Sequence, residues 1–338
     1  MKISKFDCYK NFKCIASKCP DTCCAGWNVV FDKNSAKKYD AIKGDFGTKL
    51  KDNIDFDGKQ YTAKMLCDRC AFLNDENLCE IYINLGENAL SEICTNHPRF
   101  INDFGGSQEV TFSLSCPESV RLLLLAKNMN IVTNDANIPI TPNDIDADLY
   151  FYLKNARQKI FDTLNNNFSL KTLSSIYRYC ELLQNNIKSR AYIDCETPLD
   201  ADFNIDVEKF SKILSAYKNA DFTRDKLKNA FIKASKQIKK LNVLDCIENS
   251  IKTTPDIYYK LTCVYMFRYF LTAVFDEDLI EKIKFIITSI FIFAYISAID
   301  EFKSFEGIEE LIRLYTRDII HSEENVNLIN KTLKKINF

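Results

Sequence analysis

Apolar residues recur at three-and-four spacing through most of the second half of the chain. That period predicts amphipathic helices over about 169–187, 206–219, 223–241, 256–275, 278–300, 305–319 and 322–336. Another is expected to run from a Thr141-Pro142 cap to about Asn165. Strands do not alternate with these helices, which argues against a doubly wound sheet. The longest uncharged apolar run, Phe285 to Ile299, lies between Lys284 and Asp300. A bilayer span needs roughly 20 residues, so this run reads as a buried helix and no membrane segment is expected.

The first third has a different texture. Residues 1–30 read as a loop, followed by a short extended run at Val29, Val30 and Phe31. Ser35 is expected to cap a small helix through Tyr39 and Ile42. The Gly-, Asp- and Asn-rich residues 44–63 read as a loop or a short hairpin around Asp57-Gly58. A helix over about Asn84 to Ile93 would deliver Cys94 at its C-terminal end. Glu109 to Leu114 alternates like a strand. Ser115-Cys116-Pro117-Glu118 then opens a helix over Ser119 to Lys127, which puts Cys116 near a helix N-terminus that favours its thiolate. Residues 130–143 read as a linker. The expected fold is therefore mainly α: a cysteine-rich metal-cluster domain with little strand over 1–129, then an all-helical domain over 141–338, with no Rossmann-type sheet.

Charge and composition narrow the function. The formal net charge is −1, which excludes the basic surface of a general nucleic-acid binder. Met1 to Cys24 lacks the apolar core of a secretory signal, so a cytoplasmic location is expected. Reducing compartments disfavour structural disulfides, and clustered cysteines there point to metal or redox chemistry. Ten of the fourteen cysteines fall in the first 116 residues.

Their spacing is Cys14-x4-Cys19-x3-Cys23-Cys24, then Cys67-x2-Cys70-x8-Cys79, then Cys94 and Cys116. Structural zinc favours paired short hooks, and Cys67-x2-Cys70 is one, but the N-terminal group is not. A tight loop completed by distant thiolates also suits an iron–sulfur cluster. Cys19-x3-Cys23 begins a radical-SAM signature, but Gly26 stands where its third cysteine belongs. No βαβ unit surrounds Gly105-Gly106, so the usual methyltransferase turn is missing too. The candidate ligands are Cys14, Cys19, Cys23, Cys24, Cys70, Cys79, Cys94 and Cys116, with Cys67 undecided. Cys8 reads as a bystander, and Cys180, Cys195, Cys246 and Cys263 as small buried hydrophobes.

Phe-x-Cys14-x4-Cys19-x3-Cys23-Cys24-x-Gly-Trp27, Cys70-x-Phe-Leu-x5-Cys79-x-Ile, Leu85-Gly-Glu-x3-Leu90, Cys94-x2-His97-Pro98-Arg99 and Leu114-Ser-Cys116-Pro-Glu together resemble the flagellin lysine-N-methylase family (FliB-like). The cysteine module also resembles a wider group of zinc- or iron-chelating domains. The resemblance extends over the helices around Asn155 to Leu183 and Tyr258 to Phe270. It implies N-methylation of lysine ε-amines on flagellin, S-adenosylmethionine (SAM) as donor and a 4Fe–4S cluster on the cysteine domain. The sequence departs from the family at His97, where Tyr is more usual, and at the extra Cys67.

Methyl transfer to an amine needs the lysine neutral, although its ordinary pKa is about 10.4. A phenol could serve as base and an arginine could hold the donor's carboxylate. Tyr265, Arg268 and Tyr269 are the catalytic candidates, and the alternative reading of that segment is an aromatic core helix. His97 and Arg99 are candidates beside the cofactor, as base, hydrogen-bonding partner or charge compensator. Eight thiols exceed the four that one cubane takes: either one cluster binds four of them, or a second site of zinc or another cluster takes the rest. Trp27 is expected to plug that site. The competing function is a non-catalytic iron–sulfur or zinc module acting as sensor or interaction protein.

Overall fold

The structure, a computed structural model, describes residues 1–338 apart from 139, 141–143, 197–201, 241 and 300. In chain order it opens with β1 (Lys2–Phe6), β2 (Val30–Phe31), α1 (Lys33–Asp40), α2 (Gly44–Asp52), β3 (Ile54–Phe56), β4 (Tyr61–Ala63), β5 (Met65–Leu66) and β6 (Arg69–Cys70). There follow α3 (Glu80–Leu85), α4 (Glu92–Asn96), β7 (Arg99–Asp103), β8 (Ser107–Phe112), α5 (Pro117–Leu124) and β9 (Ile131–Asp135). The rest is helical: α6 (Ala147–Asn166), α7 (Leu170–Ser189), α8 (Val207–Lys218), α9 (Asp225–Gln237), α10 (Val243–Thr253), α11 (Pro255–Tyr269), α12 (Leu279–Ile299), α13 (Phe305–Tyr315) and α14 (Glu323–Leu333). The chain forms two compact units. A cysteine unit comprises Asn11–Phe100 and Cys116–Ser119, and a helical unit comprises Met1–Lys10, Ile101–Ser115 and Val120–Phe338.

The expectation of little strand before residue 129 is corrected. Three sheets occupy that region: β7-β8-β1-β9, β2-β4-β3 and β5-β6. In the first, β1 runs parallel to β8, with Lys2 opposite Ser107, and antiparallel to β9, with Phe6 opposite Ile131. Four of the strands answer to sequence signals: β2 to the extended run at Val29–Phe31, β3 and β4 to the hairpin around Asp57-Gly58, and β8 to the alternating stretch from Glu109. The others span two to five residues, too few for a period of two to register. Their partners also lie far off in the chain. The expected linker begins as β9, whose residues pass from half-buried to exposed along the strand, so its polar composition mimics a connector.

The helical unit is organised by α12, which is apolar all round, as a helix enclosed by other helices must be. It is long and apolar enough to cross a membrane, and most of it is buried within the protein. It packs against α7, α10, α11, α13 and α14. Its polar atoms are met locally: Ser289 bonds the Tyr315 hydroxyl at 2.7 Å, and Tyr315 bonds the Tyr217 hydroxyl at 2.9 Å. Lys284 donates to the Leu333 and Ile336 carbonyls at 3.2 and 2.6 Å, tying down the end of α14. α10 was not expected from the periodicity. The Thr141-Pro142 cap lies outside the described residues, and α6 is instead capped by Asp146, whose carboxylate accepts from the Leu149 N–H.

Candidate metal centre

In the cysteine unit, short-range backbone pairing turns distant cysteines toward each other. Cys67 and Asp68 both take left-handed backbone (φ 49° and 64°), forming a two-residue hairpin turn between β5 and β6. Cys67 is thus an exposed turn residue. The N-terminal loop lies along this hairpin: Cys70 N–H donates to the Cys24 carbonyl at 2.7 Å, and Gly26 N–H donates to Asp68 at 3.0 Å. Gly26 needs its φ of +82° to make that approach. Cys24 is thereby fixed beside Cys70.

The next loop folds back on itself. Asn74 accepts from the Glu76 and Leu78 N–H groups at 3.0 and 2.8 Å. Leu73 then bridges Cys79, and Glu80 N–H donates to Phe72 at 2.8 Å. Cys79 stands at the start of α3. The single helix expected over 84–93 is broken at Gly86 (φ +83°), and Cys94 falls inside α4 rather than at a helix end. Asp32 holds α4 in place. Its carboxylate caps α1 through the Ser35 N–H at 2.9 Å and also accepts from the Glu92 N–H at 3.0 Å.

The result is that Cys24, Cys70, Cys79 and Cys94 line one small pocket, walled by Val29, Phe31, Tyr39, Phe72, Ile81 and Leu90. The four thiols interact electrostatically in every pairing. Burial pushes Cys70 up to about 11 and Cys94 up to about 12, and it raises Cys79 as well. Cys24 is raised mainly by its hydrogen bond with Cys23 and then by burial. All four are therefore neutral thiols near neutral pH, and a bound cation would be needed to ionise them. Ser91 is fully buried, its hydroxyl has no hydrogen-bond partner, and that hydroxyl favours the ionised form of Cys94. Arg69 exerts the attraction that favours the Cys24 thiolate, and it is anchored on Asn77 at 2.8 Å. Soft thiols, a dry wall, a spare donor and a nearby cation fit a thiolate-bound metal or cluster. Among the described residues, no group of three or more His, Cys, Asp or Glu side chains is positioned to hold a metal ion as it stands.

The other candidates stand apart from this pocket. Cys23 is exposed, its sulfur 3.9 Å from that of Cys24. Cys14, Cys19 and Cys116 do not line the pocket, and they interact electrostatically with one another. Trp27 does not plug the site: it is 37% exposed and its indole N–H donates to the Cys23 carbonyl at 2.7 Å. His97 is half-buried, and burial followed by the Arg99 charge pushes it down to about 4. Arg99 is exposed and lies over the Phe12 ring at 5.5 Å. In the helical unit, Tyr265, Arg268 and Tyr269 share the last turns of α11. Tyr265 is buried against Phe293 and Tyr269, its hydroxyl without a partner. The Arg268 guanidinium lies 5.1 Å from the Tyr269 ring centre, and its carbonyl accepts from Asn102 at 2.7 Å. Sequence reasoning missed Arg69 and Ser91. Neither type at either position signals a site until the loops are closed.

Comparison with known proteins adds an independent line. The chain is 32% identical over 121 residues to the flagellar biosynthetic protein FliU of Salmonella muenchen, covering 34% of this chain and 72% of that protein. The chain belongs to the FliU family. It is also 33% identical over 122 residues to a lysine-N-methylase of Salmonella choleraesuis, covering 34% of this chain and 30% of that protein. A lysine-N-methylase of Salmonella typhimurium is 33% identical over 121 residues, covering 33% of this chain and 30% of that protein. The chain thus spans less than a third of the two methylases it matches, and within the FliU family it is a distant member. No family model matches the chain, and no solved structure matches it.

Proposed function

We propose that this protein is a SAM-dependent protein-lysine N-methylase acting on flagellin, with a thiolate-bound 4Fe–4S cluster held by Cys24, Cys70, Cys79 and Cys94. The convergence of those four thiols on one apolar pocket carries the cofactor assignment. The similarity to FliU and to two lysine-N-methylases supports the flagellar context and the methylase activity. Bound there, the cluster would supply either one-electron chemistry or a rigid cross-link. The chain's own part is to hold it. The free Ser91 hydroxyl would donate to the Cys94 thiolate, Arg69 would offset the thiolate charge at Cys24, and Phe31, Phe72 and Ile81 would keep water away.

The amine of the substrate must lose its proton before attacking the sulfonium methyl. We propose that this proton passes to solvent before transfer, that the Tyr269 phenol, with Tyr265 behind it, holds the neutral amine by a hydrogen bond, and that Arg268 holds the donor's carboxylate. His97, held neutral near pH 7, is proposed as a hydrogen-bonding neighbour of the cofactor together with Arg99. A cytoplasmic location belongs to the same proposal.

The test is anaerobic purification followed by iron and sulfide analysis, then mass spectrometry of flagellin incubated with SAM. Cys24→Ser, Cys70→Ser, Cys79→Ser and Cys94→Ser should each lose iron, and Cys180→Ser should not. Unmodified flagellin lysines with an intact cluster would overturn the methylase reading. The same closed four-thiol geometry also fits structural zinc. A colourless protein holding zinc alone would favour the non-catalytic module.

A further inference from the structure

We propose that Cys23 and Cys24 form a reversible oxidation site: a hydroperoxide joins their sulfurs in a vicinal disulfide, which withdraws Cys24 from the four-thiol pocket. The two sulfurs lie 3.9 Å apart, although successive side chains of an extended chain point to opposite sides. Backbone bonds hold the dipeptide in that arrangement. The Trp27 indole N–H donates to the Cys23 carbonyl at 2.7 Å, and the Cys24 N–H donates to Thr22 Oγ1 at 3.1 Å. Both polar groups of the peptide that joins the two cysteines are thus engaged. On its far side, the Cys24 carbonyl accepts from the Cys70 N–H at 2.7 Å.

The two thiols differ in access. Cys23 is exposed and stands outside the pocket, whereas Cys24 lines it. Cys23 therefore meets a peroxide first, and Cys24 resolves the product. The Cys23 sulfur, as thiolate, attacks one peroxide oxygen. The O–O bond breaks, leaving a sulfenic acid and an oxyanion that takes up a proton. The Cys24 sulfur then attacks the sulfenic sulfur. The S–S bond forms, the S–O bond breaks, and the departing hydroxide takes the Cys24 proton and leaves as water. Together the two sulfurs lose the two electrons that the peroxide gains. A small dithiol reverses the step: one of its thiolates attacks the S–S bond, and the other closes the dithiol's own disulfide.

The spacing makes the bond easy to reverse. Adjacent α-carbons are about 3.8 Å apart across a trans peptide, short of the roughly 4.4–6.8 Å that a relaxed disulfide spans. The closed pair is therefore strained and more readily reduced than a structural disulfide. Its effect on the pocket follows from ligand chemistry. The thiolate is the metal ligand, so closing the bond leaves the pocket with Cys70, Cys79 and Cys94. A metal held by Cys24 in turn protects the pair, because that sulfur is no longer available to resolve the sulfenic acid. The effect on metal binding rests on the proposed ligand role of Cys24; the oxidation site itself does not.

The test uses the full chain, stripped of metal anaerobically, treated briefly with hydrogen peroxide, alkylated and digested with trypsin. Cleavage after Lys18 and Lys33 isolates a peptide that carries Cys19, Cys23 and Cys24. It should lose two hydrogens and take up one alkyl group, on Cys19, and dithiothreitol added before alkylation should restore all three alkylations. Cys19→Ser should leave the two-hydrogen loss in place, and Cys23→Ser should abolish it. Fluorescence of Trp27, the only tryptophan, should fall on oxidation and recover on reduction, because a neighbouring disulfide quenches an indole. Oxidised protein should fail to load zinc in the four-thiol pocket until it is reduced, while Cys23→Ser should load it despite the same treatment. Prior zinc loading should slow the oxidation by on the order of tenfold or more when free zinc exceeds its Kd by that factor. A disulfide with zinc uptake unchanged would sustain the oxidation site and overturn Cys24 as a ligand. The inference is overturned if Cys23 and Cys24 both remain open to alkylation, if Cys24 pairs instead with Cys70, Cys79 or Cys94, or if Cys23 runs on to sulfinic acid while Cys24 stays free.

Discussion

Replacing Glu109 by Gln is expected to be among the most damaging single changes in the helical unit. Glu109 lies on β8 and Arg157 on α6, with side chains only 4% and 5% exposed. The guanidinium and carboxylate meet through two parallel bonds, Nη1 to Oε2 at 2.7 Å and Nη2 to Oε1. Nη1 also donates to the Phe267 carbonyl at 3.1 Å, and the Phe267 ring lies 4.9 Å from the guanidinium. Removing the carboxylate charge leaves a buried cation with the amide oxygen of the new glutamine, one backbone carbonyl and two ring faces, Phe161 being the other, while the glutamine NH2 points a donor at the guanidinium. Breaking such a pair costs about 3–5 kcal/mol, mostly as the penalty of the stranded charge. At about 2–4 °C per kcal/mol for a unit of this size, the melting temperature should fall by on the order of 10 °C. Urea melts followed by circular dichroism would measure it. The double variant Glu109→Leu with Arg157→Met should recover most of the loss, because an apolar pair of similar volume carries no stranded charge. A Glu109→Gln loss below about 1 kcal/mol, or a double variant as unstable as either single one, would refute this reasoning.

Further outcomes concern the cysteine unit. Asp32→Ala should destabilise it by about 1 kcal/mol through loss of the α1 cap. The hydrogen bond from Ser35, followed by that from the Glu92 N–H, lowers Asp32 to about 2 from 3.8. The wild-type advantage should therefore be full above the ordinary carboxylate value and fade as pH falls through about 2, read from melts at stepped pH. His97 is pushed from 6.5 down to about 4, so the unfolded chain takes up its proton first. The His97 contribution to stability of the apoprotein should be flat above pH 6.5 and fall by about 3 kcal/mol on going below pH 4, and His97→Phe should flatten that slope. Because burial and mutual contact keep Cys24, Cys70, Cys79 and Cys94 protonated, zinc binding to their pocket at pH 7 should release about four protons per ion. Calorimetry in buffers of different ionisation enthalpy would count them; release of one proton or fewer would contradict a four-thiolate site.

The helical half of this protein is written in the sequence. Its helices are long enough for a 3.6 period to register, and α12 betrays its central position by being apolar on every side. The cysteine density also singled out the thiols Cys24, Cys70, Cys79 and Cys94, which line one pocket. Tertiary structure alone decided the rest. The hairpin around Asp57-Gly58 and the alternating stretch from Glu109 were legible, but strands of two to five residues hold no periodicity, so β1, β5, β6, β7 and the strand inside the supposed linker stayed hidden until their partners were in place. The expected helix over 84–93 failed at Gly86, whose backbone conformation no neighbouring residue announces. Spacing placed eight cysteines in one set, whereas the folded loops set Cys24, Cys70, Cys79 and Cys94 apart from Cys14, Cys19 and Cys116. That partition comes from backbone bonds such as Cys70 to Cys24, between residues whose separation along the chain says nothing of their distance in space. Arg69 and Ser91 gain their meaning the same way: a charge and a hydroxyl become part of a site only when closure removes water around them.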